Sequence, residues 1–381
     1  MTDRLDPKKD PARRCLKNGA WPAADRRAWQ AALQKGDIFD AGGMAAEWKP
    51  GTQHKVATAY GRWLTSLDRA GLLDPDLTPA QRVTRENLAR YIGDLELAGN
   101  APYTVLGRVR DIANAMKAMA PEHDWGWLYR VIRRLRRSAV SLRDKHKLVV
   151  PSGELYAYGL ELMAGAEGPS AGSPLARAAT YRNGLMIALL AARPLRRANF
   201  ASIEVGRHLI KHGEQYVLRF KGQETKTDVP IEDAVPTALV PNLERYLSHH
   251  RPILIQRTGR WRNRLPDLAE PGAFLWISRY CSPMSEGAIY DQITKLTRIK
   301  FGHELSPHLF RDSAATTIAT EDPAHVYITK SILGHSSIQT SEKHYNHARS
   351  LEASRRYQDR MLELRRHGRD RKNSPEPKLE I

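Results

Sequence analysis

Between Ser306 and Tyr345 the sequence gathers residue types suited to holding an anion and presenting a nucleophile to it. Ser306-Pro307 reads as a helix start, with serine as the N-cap and proline at the first helical position. His308 and Arg311, three residues apart, then share one face of the opening turn. Backbone N–H groups without helical partners and the positive end of the helix dipole add to these side chains, which makes a ready anion site. The helix continues through Ala314, Ala315 and Ile318 and breaks at Asp322-Pro323. A second helix closes at Leu333-Gly334, where glycine is the usual terminator, and His335 emerges just past that cap. Ten residues later Tyr345 sits on a further short helix beginning near Thr340. His303, His308, His335, His344 and His347 lack the H-E-x-x-H or cysteine-paired spacing that zinc sites use, so no metal is expected.

Composition narrows the partner. Lys plus Arg total 60 against 42 Asp plus Glu, a net charge of +18, which suits a polyanion because each neutralised phosphate releases counterions. A hydrophobic content of 41% allows real cores, and 381 residues exceed what one core usually organises (roughly 250–300). No apolar run approaches the ~18–20 residues that span a bilayer. The first residues carry no apolar signal-type segment, so the expected location is cytoplasmic, at the nucleoid. Cys15 and Cys281 are too few for a disulfide framework.

The elements that must position these groups fall into two halves. Residues 1–50 read as a loosely structured leader with one short helix, Ala24 to Lys35. From residue 51 to 142 the pattern is purely helical, carried by Ala59, Trp63, Leu64 and Leu67, then Leu88, Tyr91, Ile92 and Leu95, then Val105, Val109, Ile112 and Met116. A fourth helix, Asp124 to Val140, sets Leu128, Val131, Ile132 and Leu135 against a face of Arg130, Arg133, Arg134 and Arg137. No acidic residue lies between Trp125 and Leu142, and a face of one sign argues for nucleic acid over a solvated surface or a membrane. Residues 143–152 (RDKHKLVVPS) form a basic, extended linker. The second half, 153–364, mixes an apolar helix at Ala176–Ala192, a hairpin near 215–232 with Asp228–Ile231 as its return strand, helices at Leu239–His249, a Pro/Gly/Arg-rich loop, an extended Phe274–Ser278, and helices from Ser285 onward. Residues 365–381 read as a charged, disordered tail.

The segments SPHLFRDSAATTIA and ILGHSSIQTSEKHYNHA resemble the H-x-x-R, L-G-H and tyrosine motifs of the tyrosine recombinase (phage integrase) family. ARPLRRANFASI is similar to that family's first arginine motif and places Arg196 at its arginine, with Asn199 where the family has glutamate. The family's hairpin lysine falls on Lys221 or Lys226, and the T-K-T turn within ETKTDVP favours Lys226. His344 occupies the spacing of nine from His335 at which many members have their tyrosine; Tyr345, at ten, matches other members. The resemblance covers about residues 150–350, and the helical region before it matches only in character.

That resemblance implies a mainly α fold with a small antiparallel sheet (α+β). It implies a two-domain DNA clamp, a helical core-binding (SAM-like) domain followed by a catalytic domain. The implied activity is site-specific recombination of duplex DNA through a 3′-phosphotyrosyl intermediate on Tyr345. In-line phosphoryl transfer needs charge neutralised on the non-bridging oxygens and a proton for the leaving oxygen. Arg196 and Arg311 can fork onto those oxygens as a lysine ammonium cannot. His308 would accept the Tyr345 proton, His335 would hold a phosphate oxygen, and Lys226 would protonate the 5′-oxygen. No cofactor is implied. The implied partners are double-stranded DNA, three further copies of the chain on two DNA sites, and an accessory directionality factor. Two other readings share these residues: a type IB topoisomerase-like relaxing enzyme, and a DNA-binding protein whose catalysis has decayed.

Overall fold

The computed structural model describes residues 15–140, 148–169, 172–256 and 272–321. Two compact units divide the chain, residues 1–144 and 145–381. Predominantly helical, with a single small antiparallel sheet among the described residues, the fold is of the class expected. No helix among the described residues is long and apolar enough to cross a membrane.

The first unit is all helix: α1 (Ala23–Leu33), α2 (Pro50–Arg69), α3 (Pro79–Arg82), α4 (Arg85–Leu97), α5 (Pro102–Met119) and α6 (Gly126–Ser138). Proline stands in the first turn of α2, α3 and α5, where its missing N–H removes no hydrogen bond. Thr78 and Gln81 close a capping box on α3, and Thr84 accepts from the Asn87 N–H at the head of α4. The core joins Trp63, Leu64, Tyr91, Val109, Ile112, Met116, Leu128 and Ile132.

Residues 15–49 depart from the loose leader expected. Trp21, Trp29, Ala32 and Ala45 belong to the same core, and the Trp21 ring meets Tyr60 edge-on at 5.1 Å. Asp25 on α1 is fully buried; it pairs with Arg82 and accepts from the Tyr60 hydroxyl at 2.6 Å. Burial and the neighbouring Asp25 charge hold the Tyr60 phenol well above its ordinary pKa, so it serves as a donor. Arg82 also donates to the Asp74 carbonyl at 2.7 Å. Two tryptophans and one aspartate in a polar segment show no clear periodicity, which is why the sequence pattern concealed their burial. Asp25→Ala would leave the Arg82 charge buried against a void, and we expect it to cost about 3–5 kcal/mol in urea unfolding of the full chain. A loss below about 1 kcal/mol would remove α1 from the fold's essential core.

The second unit begins with α7 (Ser152–Glu167) and α8 (Pro174–Ala192), two helices in extensive contact. They approach at Gly159 and Gly184, where an added Cβ would lie 2.7 Å or less from backbone atoms of the other helix. Then come α9 (Arg197–Ala201), β1 (Leu209–His212), β2 (Gln215–Phe220) and β3 (Ile231–Ala234), in sheet order β1-β2-β3. Leu209 pairs with Leu218 and Phe220 with Ile231. Leu209, Tyr216, Leu218 and Phe220 turn into the core.

The sheet corrects the expected hairpin in two respects. The return strand starts at Ile231, since Asp228 takes a left-handed turn (φ 56°) and Pro230 has no N–H for a ladder. β1 was not foreseen, because Leu209-Ile210-Lys211-His212 is short and does not alternate; its signal was Gly213, whose φ of 60° makes the turn into β2. Residues 273–275 are extended, but they pair by isolated bonds with Ile203 and Val205 and add no strand to the sheet.

Helix α10 (Val240–Arg245) passes through a π-helical stretch, Tyr246–His250, into α11 (Arg251–Ile255). The described chain ends with α12 (Glu286–Phe301) and α13 (Pro307–Glu321). The expected linker at 143–147, most of the loop at 258–272, the helices beyond 321 and the tail lie outside the described residues.

Candidate functional site

Three segments of the second unit converge. The first is the tight connection from α8 to α9, Arg193-Pro194-Leu195-Arg196. Arg193 donates to the Ala234 carbonyl on β3 at 2.9 Å, and Leu195 is buried, so the connection has little freedom. Arg196 precedes the first turn of α9. Behind α9, Phe200 stacks on Trp276 at 4.9 Å, and the Trp276 indole donates to the Phe200 carbonyl at 2.9 Å.

The second segment is the start of α13. Buried Phe310 anchors it, and the Thr317 hydroxyl accepts from the Ser152 N–H at the head of α7 at 3.0 Å. Arg311 is only 6% exposed. Its guanidinium reaches across the unit to donate to the Pro194 carbonyl at 2.6 Å. His308 stands one turn earlier, on the surface, as the spacing of three requires.

Arg311 and Arg196 are near enough to repel. Burial, then the Arg196 charge, push the Arg311 pKa down to about 10, with Asp312 opposing. Burial lowers that of Arg196 as well. Two desolvated like charges brought together are costly in the fold, on the order of 3 kcal/mol for Arg311 alone. A phosphate between them would offset that cost through charge-assisted, forked hydrogen bonds.

The third segment is the β2–β3 connection. It makes a 3-10 turn at Gly222–Glu224, and Lys226 follows on its exposed edge beside half-buried Thr227. Thr227 lies 3.5 Å from the Arg196 guanidinium. The Asn199 amide donates to the Glu224 carbonyl at 2.9 Å. Lys221 closes the other end, its backbone N–H bonding the Glu224 carboxylate at 2.8 Å.

Arg196, Arg311 and the turn bearing Lys226 are therefore brought together, with His308 on the same helix face as Arg311. His335 and Tyr345 lie outside the described residues. Thr227 lies in the T-K-T turn that favours Lys226, whereas Glu224 and His208, which also support this geometry, belong to no motif; Asn199 stands where the motif has glutamate. In the first unit, Arg130, Arg133, Arg134 and Arg137 are exposed on α6, while Leu128 and Ile132 face the core.

Residues 170–352 match the model of the phage integrase family. Over 148 residues the chain is 26% identical to a putative tyrosine recombinase XerC of Pseudomonas aeruginosa, an alignment spanning 36% of this chain and 31% of that protein. The chain thus spans about a third of the length of the curated relative it matches. A solved structure, the XerH site-specific recombinase bound to palindromic difH substrate in a post-cleavage complex, is similar in fold at a TM-score of 0.50, with 12% identity over 93% of this chain and 98% of that one. The segment that holds both site arginines, the hairpin lysine, both site histidines and Tyr345 is the segment the family model matches, so residues 170–352 carry a domain of the phage integrase family.

Proposed function

We propose that this chain is a site-specific DNA recombinase, an integrase that cleaves and rejoins duplex DNA through a 3′-phosphotyrosyl link to Tyr345. The carrying observation is the pair of guanidiniums. Arg311 is buried beside Arg196 and anchored by the Pro194 carbonyl, which sets two guanidiniums close enough to fork onto one phosphate. In this reading the two arginines neutralise the non-bridging oxygens while the Tyr345 oxygen attacks phosphorus in line with the departing 5′-oxygen. His308 accepts the phenol proton, His335 donates an N–H to a phosphate oxygen, and Lys226 gives its proton to the 5′-oxygen. One phosphate ester replaces another, so the bond energy is retained and a second 5′-hydroxyl can reverse the step.

Lys226 is preferred to Lys221 because its neighbour Thr227 touches Arg196, whereas Lys221 lies at the far end of the turn. The first unit would act as a core-binding domain, residues 51–142, with the arginines of α6 on DNA phosphates; residues 153–364 would be the catalytic domain, and the two would clamp duplex DNA. Four copies would assemble on two sites.

Incubation with a nicked suicide duplex tests the proposal. An active recombinase leaves a protein–DNA adduct that survives denaturation. A decayed binder shifts the duplex and leaves none; a relaxing enzyme also leaves an adduct, but on a supercoiled plasmid it removes supercoils without site preference.

The arginine face of α6 carries its own expectation. Replacing Arg130, Arg133, Arg134 and Arg137 by alanine one at a time should weaken binding to all duplexes alike. Each lost phosphate contact should lower the slope of log K against log salt by about 0.9. A change in sequence preference with an unchanged slope would mean that these residues read bases instead.

A further inference from the structure

We propose that Asn199 is a positioning residue for the general acid, holding the turn that presents Lys226 to the leaving 5′-oxygen; this rests on the reading of Lys226 given above. Asn199 is 3% exposed and lies on α9, three residues after Arg196. Its amide bonds the Glu224 carbonyl at 2.9 Å. A carbonyl can only accept, so the amide N–H must face it. The family's glutamate, ionised at this position, would have no hydrogen to give; asparagine changes the kind of link that can be made here.

The bond matters because of where it enters the turn. Glu224 is two residues before Lys226, and Thr227, one residue after it, lies against Arg196. The Arg196–Asn199 segment at the head of α9 therefore grips the chain on both sides of Lys226, and Arg196 is also a phosphate-binding arginine in the reading above. The rest of the turn is already braced. The Thr225 hydroxyl, in a buried residue, reaches the Gly222 carbonyl at 3.0 Å and the Val229 carbonyl at 2.9 Å. The Glu224 carboxylate accepts from the Lys221 N–H at 2.8 Å and meets His208 Nε2 at 3.3 Å. His208 is buried, stacks on Phe220 at 4.6 Å and accepts the Glu204 N–H at Nδ1, which leaves its proton on Nε2 for Glu224. These contacts shape the turn from within or tie it to the sheet. The Asn199 bond ties it to the arginine segment, and so sets Lys226 relative to the phosphate.

An acid must lie within hydrogen-bond reach of the atom it protonates, and a displacement of ~1 Å can cost about 100-fold in rate. The chemistry offers a direct test. A 5′-bridging sulfur leaves as a thiolate whose conjugate acid has a pKa near ~8.5, so it needs no proton from lysine. Adduct formation by the full chain is measured in single turnover on nicked suicide duplexes with oxygen or sulfur at that position. The proteins compared are the native chain, Lys226→Ala, Asn199→Ala and Asn199→Asp. The aspartate keeps the volume and loses the N–H, so it carries the test if the alanine variant fails to fold.

Both Asn199 variants should lose about 10- to 100-fold on oxygen, as Lys226→Ala does, and return to within about 3-fold of the native rate on sulfur. A native rate on oxygen overturns the inference. So does a loss that persists on sulfur while Lys226→Ala is rescued, because the defect would then lie in the fold or in phosphate binding. If sulfur fails to rescue Lys226→Ala, the acid assignment falls, and the inference falls with it.

Discussion

Arg311→Met is expected to form the covalent adduct about 10²- to 10³-fold more slowly than the native protein while melting no lower. The kinetic loss follows from removing a preorganised donor aimed at a phosphate oxygen. Arg311→Lys should lose nearly as much, since a single ammonium cannot supply the fork. The stability result has the opposite logic. Arg311 is buried, repelled by Arg196, and depressed to about 10, so its charge opposes folding at neutral pH. Methionine fills a similar volume without the charge, and the hydrogen bond to the Pro194 carbonyl that is lost contributes about 1.5–3 kcal/mol, no more than the burial cost that is relieved. The sign can be checked by titration. The folded pKa lies below the unfolded one, so the unfolded chain binds more protons above pH ~10, and native stability should gain there as pH rises. The Met variant should lack that gain. Cleavage at the native rate, or a melting temperature lowered by more than about 1 kcal/mol equivalent, would show that Arg311 is a structural cation.

Tyr345→Phe should show the largest effect. Removing one oxygen deletes the nucleophile and leaves charge, volume and apolar surface nearly intact. Adduct formation should fall by roughly 10⁴-fold or more, and duplex affinity at fixed salt should change by less than about 2-fold, because phosphate contacts dominate binding. His344, adjacent to it, is the informative control. If His344→Ala abolished the adduct while Tyr345→Phe kept it, the assignment of the nucleophile would be wrong.

How much of this could be read from sequence depends on how local the cause is. The helix expected at Ala176–Ala192 is Pro174–Ala192, marked by its apolar run and capped by Ser173, and the arginine-faced helix expected at Asp124–Val140 is Gly126–Ser138, marked by its periodicity. His308 and Arg311 fall on one face because helix geometry alone dictates it. Non-local causes stayed hidden. Nothing near Trp21 or Asp25 announces Tyr60 or Arg82, tens of residues away, so the first helix was taken for part of a loose leader. Nothing near Asn199 announces Glu224, whose carbonyl it holds. β1 was missed because four residues are too few to show alternation, and its pairing is decided by β2. For Tyr345 and His335, motif resemblance and the family match stand without a geometric account.

The most direct measurement is chemical. The adduct trapped on a nicked suicide duplex is digested with protease and nuclease, and the peptide carrying the nucleotide remnant is sequenced by mass spectrometry. A phenolic phosphodiester at Tyr345, linked to the 3′ side of the cleaved strand, is the predicted product. A remnant on any other side chain, or a 5′ linkage, would contradict the assignment of a tyrosine attacking a phosphate held by Arg196 and Arg311.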